Sequence, residues 1–160
     1  MSLVIETLRT STITEELADT ELETIAGLFE VQHCKSGEKI VKAEGRQDNL
    51  YILAQGDIDV KIQSSEGETT IHALKPGDLA GIITFVGGAP TQHSATLYAR
   101  GDTKVLSLER AKFETLIDSS PLIVYKVMRG VVRNVHGIVR QMNAQSSALN
   151  NYIYRTQGGY

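Results

Sequence analysis

The residues of this chain that could do chemistry are concentrated between Lys75 and Thr96. The segment reads KPGDLAGIITFVGGAPTQHSAT, which is a turn, a short apolar run and a glycine-rich loop. Glycine-rich turns that open a short helix present free backbone amides, and such amides bind phosphate and other anions. The segment therefore has the pattern of a phosphate-binding loop.

The histidines do not form a metal-binding pattern. They are scattered, and no His-x-His pair is followed by a downstream Glu, as a metal-binding β-roll would need. A haem site would need an axial His with a second ligand, and no second ligand is evident. We therefore expect neither a metal ion nor a cofactor at the four histidines, which are His33, His72, His93 and His136.

Nucleophilic catalysis also lacks its sequence signals. Cys34 is the single cysteine of the chain, so it can form no intramolecular disulfide and hold no iron–sulfur cluster, which needs about four thiolates. No Gly-x-Ser-x-Gly motif is present to place a serine on a sharp turn. We interpret Cys34 as a structural residue and do not expect an enzyme.

The elements that must position the loop are short strands. From Val31 the hydrophobic pattern has a period of two, and turn signals rich in Gly, Ser and Asp separate the segments. Seven short strands at such even spacing are typical of an antiparallel sandwich, roll or barrel. The candidate strands are residues 31–35, 39–41, 50–55, 58–63, 69–74, 94–99 and 103–108.

Helical patterns flank the strands on both sides. Residues 4–18 are weakly helical, and the TELE motif at Thr20 is a capping-box pattern that predicts a helix from Thr20 to about Phe29. After the strands, residues 111–118 form a short amphipathic segment, and Pro121 begins a much longer helix.

The long helix has an apolar face and a nearly opposite basic face. Continued to Ile153, the apolar stripe spans about 45 Å of helix, which is more than a small roll can cover. The pattern favours a parallel two-helix dimer contact; the alternative is that the helix packs entirely against its own sheet. The candidate dimerisation residues are Met128, Val131, Val132, Val135, Ile138, Val139 and Met142, and the basic residues are Lys126, Arg129, Arg133, His136 and Arg140.

Two glycines, Gly130 and Gly137, lie one heptad apart inside this helix. Each costs about 1 kcal/mol relative to Ala in a helix interior. They either allow a close helix approach or a bend, or are simply tolerated.

Charge is distributed unevenly along the chain. The net charge is -3, but residues 1–118 carry all 19 acidic residues and 11 of the 16 lysines and arginines. The remaining residues carry five basic side chains and no acidic one. A basic tail contacts nucleic acid or an anionic membrane, or it folds back on the acidic body of its own chain or of a partner. Because five charges form a sparse patch, we favour contact with an acidic body.

Several motifs follow one another along most of the chain: TELETIAGLF from Thr20, SGEKI from Ser36, LYILAQGDIDV from Leu50 and LKPGDLAG from Leu74. Together they resemble the cyclic-nucleotide-binding domain family, from about Thr20 to Met142. The resemblance implies a mostly β fold with flanking helices: an antiparallel, jelly-roll-like β-roll (a double-stranded β-helix) with N-terminal helices and a long C-terminal helix. It divides the chain into an N-terminal helical extension (1–18), the β-roll (19–120), a dimerisation helix (121–154) and a tail (155–160).

In this family a loop Glu accepts a hydrogen bond from the ribose hydroxyl, and an Arg pairs with the cyclic phosphate. Here Ile82 follows Gly81 at the Glu position, and the Arg position falls on His93 or, counted from Pro90, on Thr91. Ile cannot accept a hydrogen bond, and His, with an unperturbed pKa near 6.5, is a poor permanent cation at neutral pH. The resemblance places the candidate ligand-binding residues at Gly81, Ile82, Ile83, Thr84, Pro90, Thr91, Gln92, His93, Ser94 and Ala95.

The missing charges predict weak or altered nucleotide binding. Hydrogen bonds to charged groups contribute about 1.5 to 3 kcal/mol each, so the loss of two costs roughly two to four decades of affinity. The family's base-contacting polar pair also falls on apolar residues, Ile138 and Val139. We expect a non-enzymatic, stand-alone sensor or regulatory module that forms a homodimer, with a cyclic nucleotide or another small anion as candidate ligand. The alternative is a ligand-free dimerisation or protein-interaction module on the same fold.

Length and composition fit one globular domain of 160 residues with 41% hydrophobic and 22% charged residues. No apolar run approaches the roughly 20 residues that span a bilayer, and the N-terminus lacks a signal-peptide pattern, so we expect a cytoplasmic protein. Only residues 154–160 follow the long helix, so we expect no sequence-specific DNA binding. The expected output partner is another protein chain.

Overall fold

The structure of the chain is a computed structural model that describes residues 2–40, 48–87 and 96–157, with side chains described for all of these except 63, 64 and 145–157. The helices are α1 (Leu3–Arg9), α2 (Asp19–Ala26), α3 (Ile82–Phe85), α4 (Arg110–Glu114), α5 (Leu116–Ser119) and α6 (Pro121–Gln157), with a 3₁₀ turn at Thr12–Thr14. The strands are β1 (Glu30–Cys34), β2 (Asn49–Ser64), β3 (Gly67–Leu74), β4 (Leu79–Ala80) and β5 (Thr96–Glu109).

The described strands form one antiparallel sheet. Its order is β1-β5-β2-β3, and β4 pairs with the first half of β2. Helices α1 and α2 precede the sheet, and α6 follows it. This arrangement confirms the predicted antiparallel β-roll with N-terminal helices and a long C-terminal helix.

Two long strands replace four of the predicted short ones. The predicted breaks near Gly56 and Gly101 are wrong, because β2 and β5 run through both glycines. The pairing of β2 with β5 shifts register on either side of Gln55, and Gly56 has φ +93°. A β-carbon at Gly56 would lie 2.6 Å from the carbonyl oxygen of Asp102. The glycines therefore serve as bulges that bend paired strands.

Smaller differences concern the short elements. Strand β4 was not predicted, and the predicted strand 39–41 is reduced to an isolated bridge between Lys39 and Tyr98. Val41 lies outside the described residues.

The first half of β2 is buried on both faces. Leu50 and Ile52 point to one side and Tyr51 and Leu53 to the other, since successive side chains alternate. Leu50 and Ile52 join a core built with the helices, whereas Tyr51 and Leu53 join a core inside the roll. The second core comprises Cys34, Ile40, Tyr51, Leu53, Ile58, Leu74, Leu97, Ala99 and Val105.

Helix α2 begins two residues earlier than the capping-box pattern suggests. Its N-cap is Ala18, and the carboxylate of Glu21 accepts a hydrogen bond from the Ala18 amide at 2.9 Å. Thr20 lies inside the helix, where its carbonyl accepts from the hydroxyl of Thr24 at 3.0 Å. The prediction of Thr20 as N-cap is therefore wrong, because the acid three residues after Ala18 satisfies the first free amide.

Helix α6 begins at Pro121, as predicted, and continues past Tyr154 to Gln157. Its first turns pack on the N-terminal segment: Val127 and Val131 share one core with Leu8 and Ile13. The N-terminal segment is thus part of the body of the fold. No helix in the described ranges is both long enough and apolar enough to cross a membrane.

Candidate functional site

The predicted phosphate-binding loop begins with a tight turn. The carboxylate of Asp78 accepts from the Lys75 amide at 2.9 Å, and Gly77 takes the left-handed conformation with φ +96°. Two backbone bonds with Leu53 fix the turn to β2: Gly77 donates to the Leu53 carbonyl at 2.8 Å, and Leu53 donates to the Asp78 carbonyl at 3.0 Å. The entry to the loop is therefore held by the sheet.

Gly81 is required where the loop passes over β2. It has φ +80°, and a β-carbon there would lie 2.5 Å from the carbonyl oxygen of Asn49. Helix α3 follows directly, with the Gly81 carbonyl accepting from the Phe85 amide at 3.0 Å and from the Thr84 hydroxyl at 3.2 Å. This strand–glycine–short helix geometry is the one that the sequence motif predicts.

The two isoleucines that open α3 face different surroundings. Ile82 is half-buried and packs against the core that the helices share with β2. Ile83 is 58% exposed. The position that would carry a hydrogen-bonding Glu thus contributes an apolar contact instead.

The second half of the predicted site lies outside the described residues. It comprises Pro90, Thr91, Gln92, His93, Ser94 and Ala95. Their assignment as ligand-binding residues stays a prediction.

Sequence reasoning missed Arg110, which contacts the far end of α3. Its guanidinium donates to the Thr84 carbonyl at 3.4 Å and pairs with Asp48 at 3.0 Å and Glu114 at 3.3 Å. Two carboxylates balance its charge, and it lies at the C-terminal end of α3, where a cation is favourable. Only the i,i+4 spacing of Arg110 and Glu114 was visible in the sequence. Arg110 therefore ties the C-terminal end of α3 to Asp48 and to α4.

Two observations concern metal-binding and thiol side chains in the described ranges. There, no three His, Cys, Asp or Glu side chains come together as a metal cage. Cys34 is 1% exposed, and burial raises the pKa of its thiol. Because the thiolate is the reactive form, this thiol is unsuited to nucleophilic chemistry.

The apolar stripe predicted on α6 is divided between the core and solvent. Val131 is 3% exposed and belongs to the core of its own chain, and Met128 packs partly against that core. Further along, five residues are 38–65% exposed and form what we call the exposed stripe: Val132, Val135, Ile138, Val139 and Met142. Beside its beginning lies an open hollow of about 440 Å³, lined by Tyr125, Met128, Arg129, Val132 and Arg133.

The basic face of α6 is paired with acids of the N-terminal segment. Lys126 contacts Glu21 at 2.7 Å, and Arg129 contacts Glu16 at 3.0 Å. Arg133 contacts Glu16 at 2.9 Å as well as Glu15. These three cations therefore pair with acids of their own chain, which is one of the two arrangements that the sequence left open.

These contacts lower the pKa values of two of the acids, Glu16 and Glu21. The hydrogen bond from Arg133, reinforced by Arg129, holds the pKa of Glu16 below its ordinary value. The hydrogen bonds from Lys126 and from the Ala18 amide lower the pKa of Glu21 in the same way. Both acids are therefore charged in the folded protein near neutral pH.

The chain is similar to known regulatory domains. Residues 31–120, more than half of the chain, match the family model of the cyclic nucleotide-binding domain. This range covers the sheet, α3, α4 and α5, and ends just before α6.

Three solved structures share the fold. The N-terminal domain of a transcriptional regulator from Streptomyces coelicolor A3(2) is 20% identical with a TM-score of 0.71, covering 85% of this chain and 94% of that one. A cyclic nucleotide-binding domain from Methylobacillus flagellatus KT is 17% identical with a TM-score of 0.76, covering 89% and 80%. The catabolite activator protein of Thermus thermophilus is 24% identical with a TM-score of 0.66, covering 85% of this chain and 63% of that one. At these identities the similarity shows the fold alone.

Proposed function

This chain belongs to the cyclic nucleotide-binding domain family, and we propose that it is a non-enzymatic sensor or regulatory module with weak or altered nucleotide binding. In this proposal the β-roll, residues 19–120, holds a cyclic nucleotide or another small anion. The helix from Pro121 forms a homodimer contact. The output partner is another protein chain, and the expected location is the cytoplasm.

The observation that carries the proposal is the environment of Ile82. The turn at Gly77, the close approach at Gly81 and the start of α3 fit the beginning of a phosphate-binding loop and support the proposal. The next side chain, however, is a half-buried isoleucine packed on the core. Loss of a hydrogen bond to a charged group costs about 1.5 to 3 kcal/mol, or roughly ten- to 150-fold in affinity. A loop that begins in this way, with Ile82 in place of the polar partner, fits weak binding.

The dimer is supported by the exposed stripe. Its side chains are spaced by three and four residues along α6, as in a two-helix contact. Val132 and Met142 are 65% and 61% exposed in the single chain, so the stripe offers apolar surface to a partner. Val131 belongs to the core of its own chain and drops out of this proposed contact.

The same isoleucine favours a second candidate function. Because Ile82 packs against the core, its side chain can fill the space that a ligand would occupy. The chain would then be a ligand-free dimerisation or protein-interaction module on the same fold.

Two measurements on the native chain test the proposal. Ligand binding to the folded state raises the melting temperature, so a thermal-shift screen with cyclic AMP and cyclic GMP detects a ligand. We expect small shifts that appear only at high nucleotide concentration. Sedimentation velocity at several protein concentrations tests the dimer. A monomer throughout the concentration range would overturn the proposed homodimer.

A further inference from the structure

Helix α6 has three distinct faces in its first half. Ile123, Val127 and Val131 are buried against the body of the chain. The exposed stripe lies on one flank of this core face, and the basic residues lie on the other flank. At 3.6 residues per turn, a small rotation of the helix about its axis would move all three faces together.

Apolar packing alone does not fix that rotation, because the hydrophobic effect is non-directional. Charge-assisted hydrogen bonds are directional, and α6 has a connected set of them. Glu16 accepts from Arg129 at 3.0 Å and from Arg133 at 2.9 Å, and Arg133 also donates to Glu15 at 2.7 Å. Glu21 adds a separate contact to Lys126 at 2.7 Å.

The backbones also approach closely at this joint. Gly130 faces the 3₁₀ turn, and a β-carbon there would lie 2.5 Å from the α-carbon of Ile13 and 2.8 Å from the carbonyl oxygen of Thr12. Any other residue would push the turn and the helix apart. The equivalent position one heptad later, Gly137, has nothing within 4 Å.

We propose that Glu15, Glu16 and Glu21, which we call the acidic bracket, set the rotation and direction of α6 together with the close contact at Gly130. The bracket pairs with Lys126, Arg129 and Arg133 from within the same chain, so that this part of the basic face is not a free surface for an anionic partner. It holds the exposed stripe away from the body. Its consequence for the dimer rests on the proposed function. Without the bracket, the crossing angle between the α6 helices of the two chains would no longer be fixed.

The test measures the position of α6 within one chain. Spin labels are attached at Lys104→Cys on β5 and Gln141→Cys on α6, in a Cys34→Ser background. Labelled chain is mixed with an excess of unlabelled chain, so that each distance is intramolecular. The bracket variant is Glu15→Gln, Glu16→Gln, Glu21→Gln. The matched control, Glu6→Gln, Glu23→Gln, Glu38→Gln, removes the same charge at exposed sites whose described contacts include no ion pair to α6.

We expect the bracket variant to broaden or shift the distance distribution by several ångströms and the control to leave it unchanged. An unchanged distribution in a folded bracket variant would overturn the proposal. Should that variant fail to fold, Gly130→Ala decides, because it keeps every charge and disturbs only the close contact with Thr12 and Ile13. Here too an unchanged distance overturns the proposal. Because the distance is intramolecular, its outcome is separate from that of the dimer, which sedimentation reports.

Discussion

The aromatic rings of Phe85 and Phe113 lie 5.3 Å apart, with their planes tilted by 46°. Phe85 belongs to the short helix α3, and Phe113 belongs to α4, one turn after Arg110. Together with the contact from Arg110 to Thr84, this pair attaches the predicted ligand-binding loop to the helices that lead into α6. Both rings are at most 3% exposed, so the attachment is part of the core.

Phe113→Ala should be strongly destabilising. Removing a buried aromatic ring costs about 3 to 5 kcal/mol, because the surrounding core only partly collapses into the cavity. Ile117→Ala is the matched control, since Ile117 is 51% exposed on neighbouring α5 and its loss should cost about 0.5 kcal/mol or less. Urea denaturation gives both values. Equal losses in the two variants would show that α3 is not packed on α4 as described.

Gly81→Ala should destabilise the loop more than Gly77→Ala. Both glycines have left-handed φ values, so both variants pay the backbone cost of about 1 to 2 kcal/mol. Only Gly81 also faces the Asn49 carbonyl, whereas Gly77 has nothing within 4 Å. The steric conflict should add roughly 1 to 3 kcal/mol. Urea midpoints measure the difference, and identical midpoints would mean that the loop does not cross β2 closely.

Much of the fold could be predicted because its signals are local. The helix start at Pro121 and the glycine turn at Gly77 depend on backbone preferences of single residues. The strand at Leu50–Leu53 is indicated by neighbouring apolar residues alone. Such features were read correctly from the sequence.

Other features depend on partners far away in the chain. Whether Gly56 ends a strand or bends it is decided by its neighbour Asp102, which the local pattern does not reveal. Val131 and Val132 are equally apolar, yet one is buried and the other exposed because the N-terminal segment covers only one side of α6. In the site, the identity of Ile82 was visible, but its packing on the core was not.

Acid should weaken the folded state through Glu16 and Glu21. Their folded pKa values are held below the ordinary value of 4.5, so their ion pairs contribute stability above that pH. The contribution is lost as the pH falls through the lowered pKa values, because protonated carboxyls no longer pair with the cations. The urea midpoint of the native chain should therefore fall below about pH 4.5 more steeply than that of Glu16→Gln, Glu21→Gln.

The control for this pH effect is Glu23→Gln, on the exposed side of α2. Its pH profile should follow that of the native chain. Parallel profiles for the native chain and the double variant would contradict the assigned ion pairs.

Charges on the exposed stripe should weaken dimer formation. Val132→Glu and Val139→Glu each place a carboxylate in the proposed apolar contact, which a dimer would have to desolvate. Sedimentation equilibrium should show at least a roughly tenfold weaker association for each variant, a loss of about 1.4 kcal/mol or more. Gln141→Glu, at an exposed position beside the stripe, is the control and should associate as the native chain does. Native-like association of both valine variants would exclude this face as the contact.

The central claim, made as a proposal, is that residues 77–85 begin a phosphate-binding loop in which Ile82 and His93 stand in place of its two charged partners. Calorimetric titration with cyclic AMP and cyclic GMP at neutral pH tests it, on the native chain and on an Ile82→Glu, His93→Arg double variant. We predict no tight binding by the native chain and a gain of roughly two to four decades in affinity for the double variant. Low-micromolar binding by the native chain, or no binding by either protein, would contradict the claim.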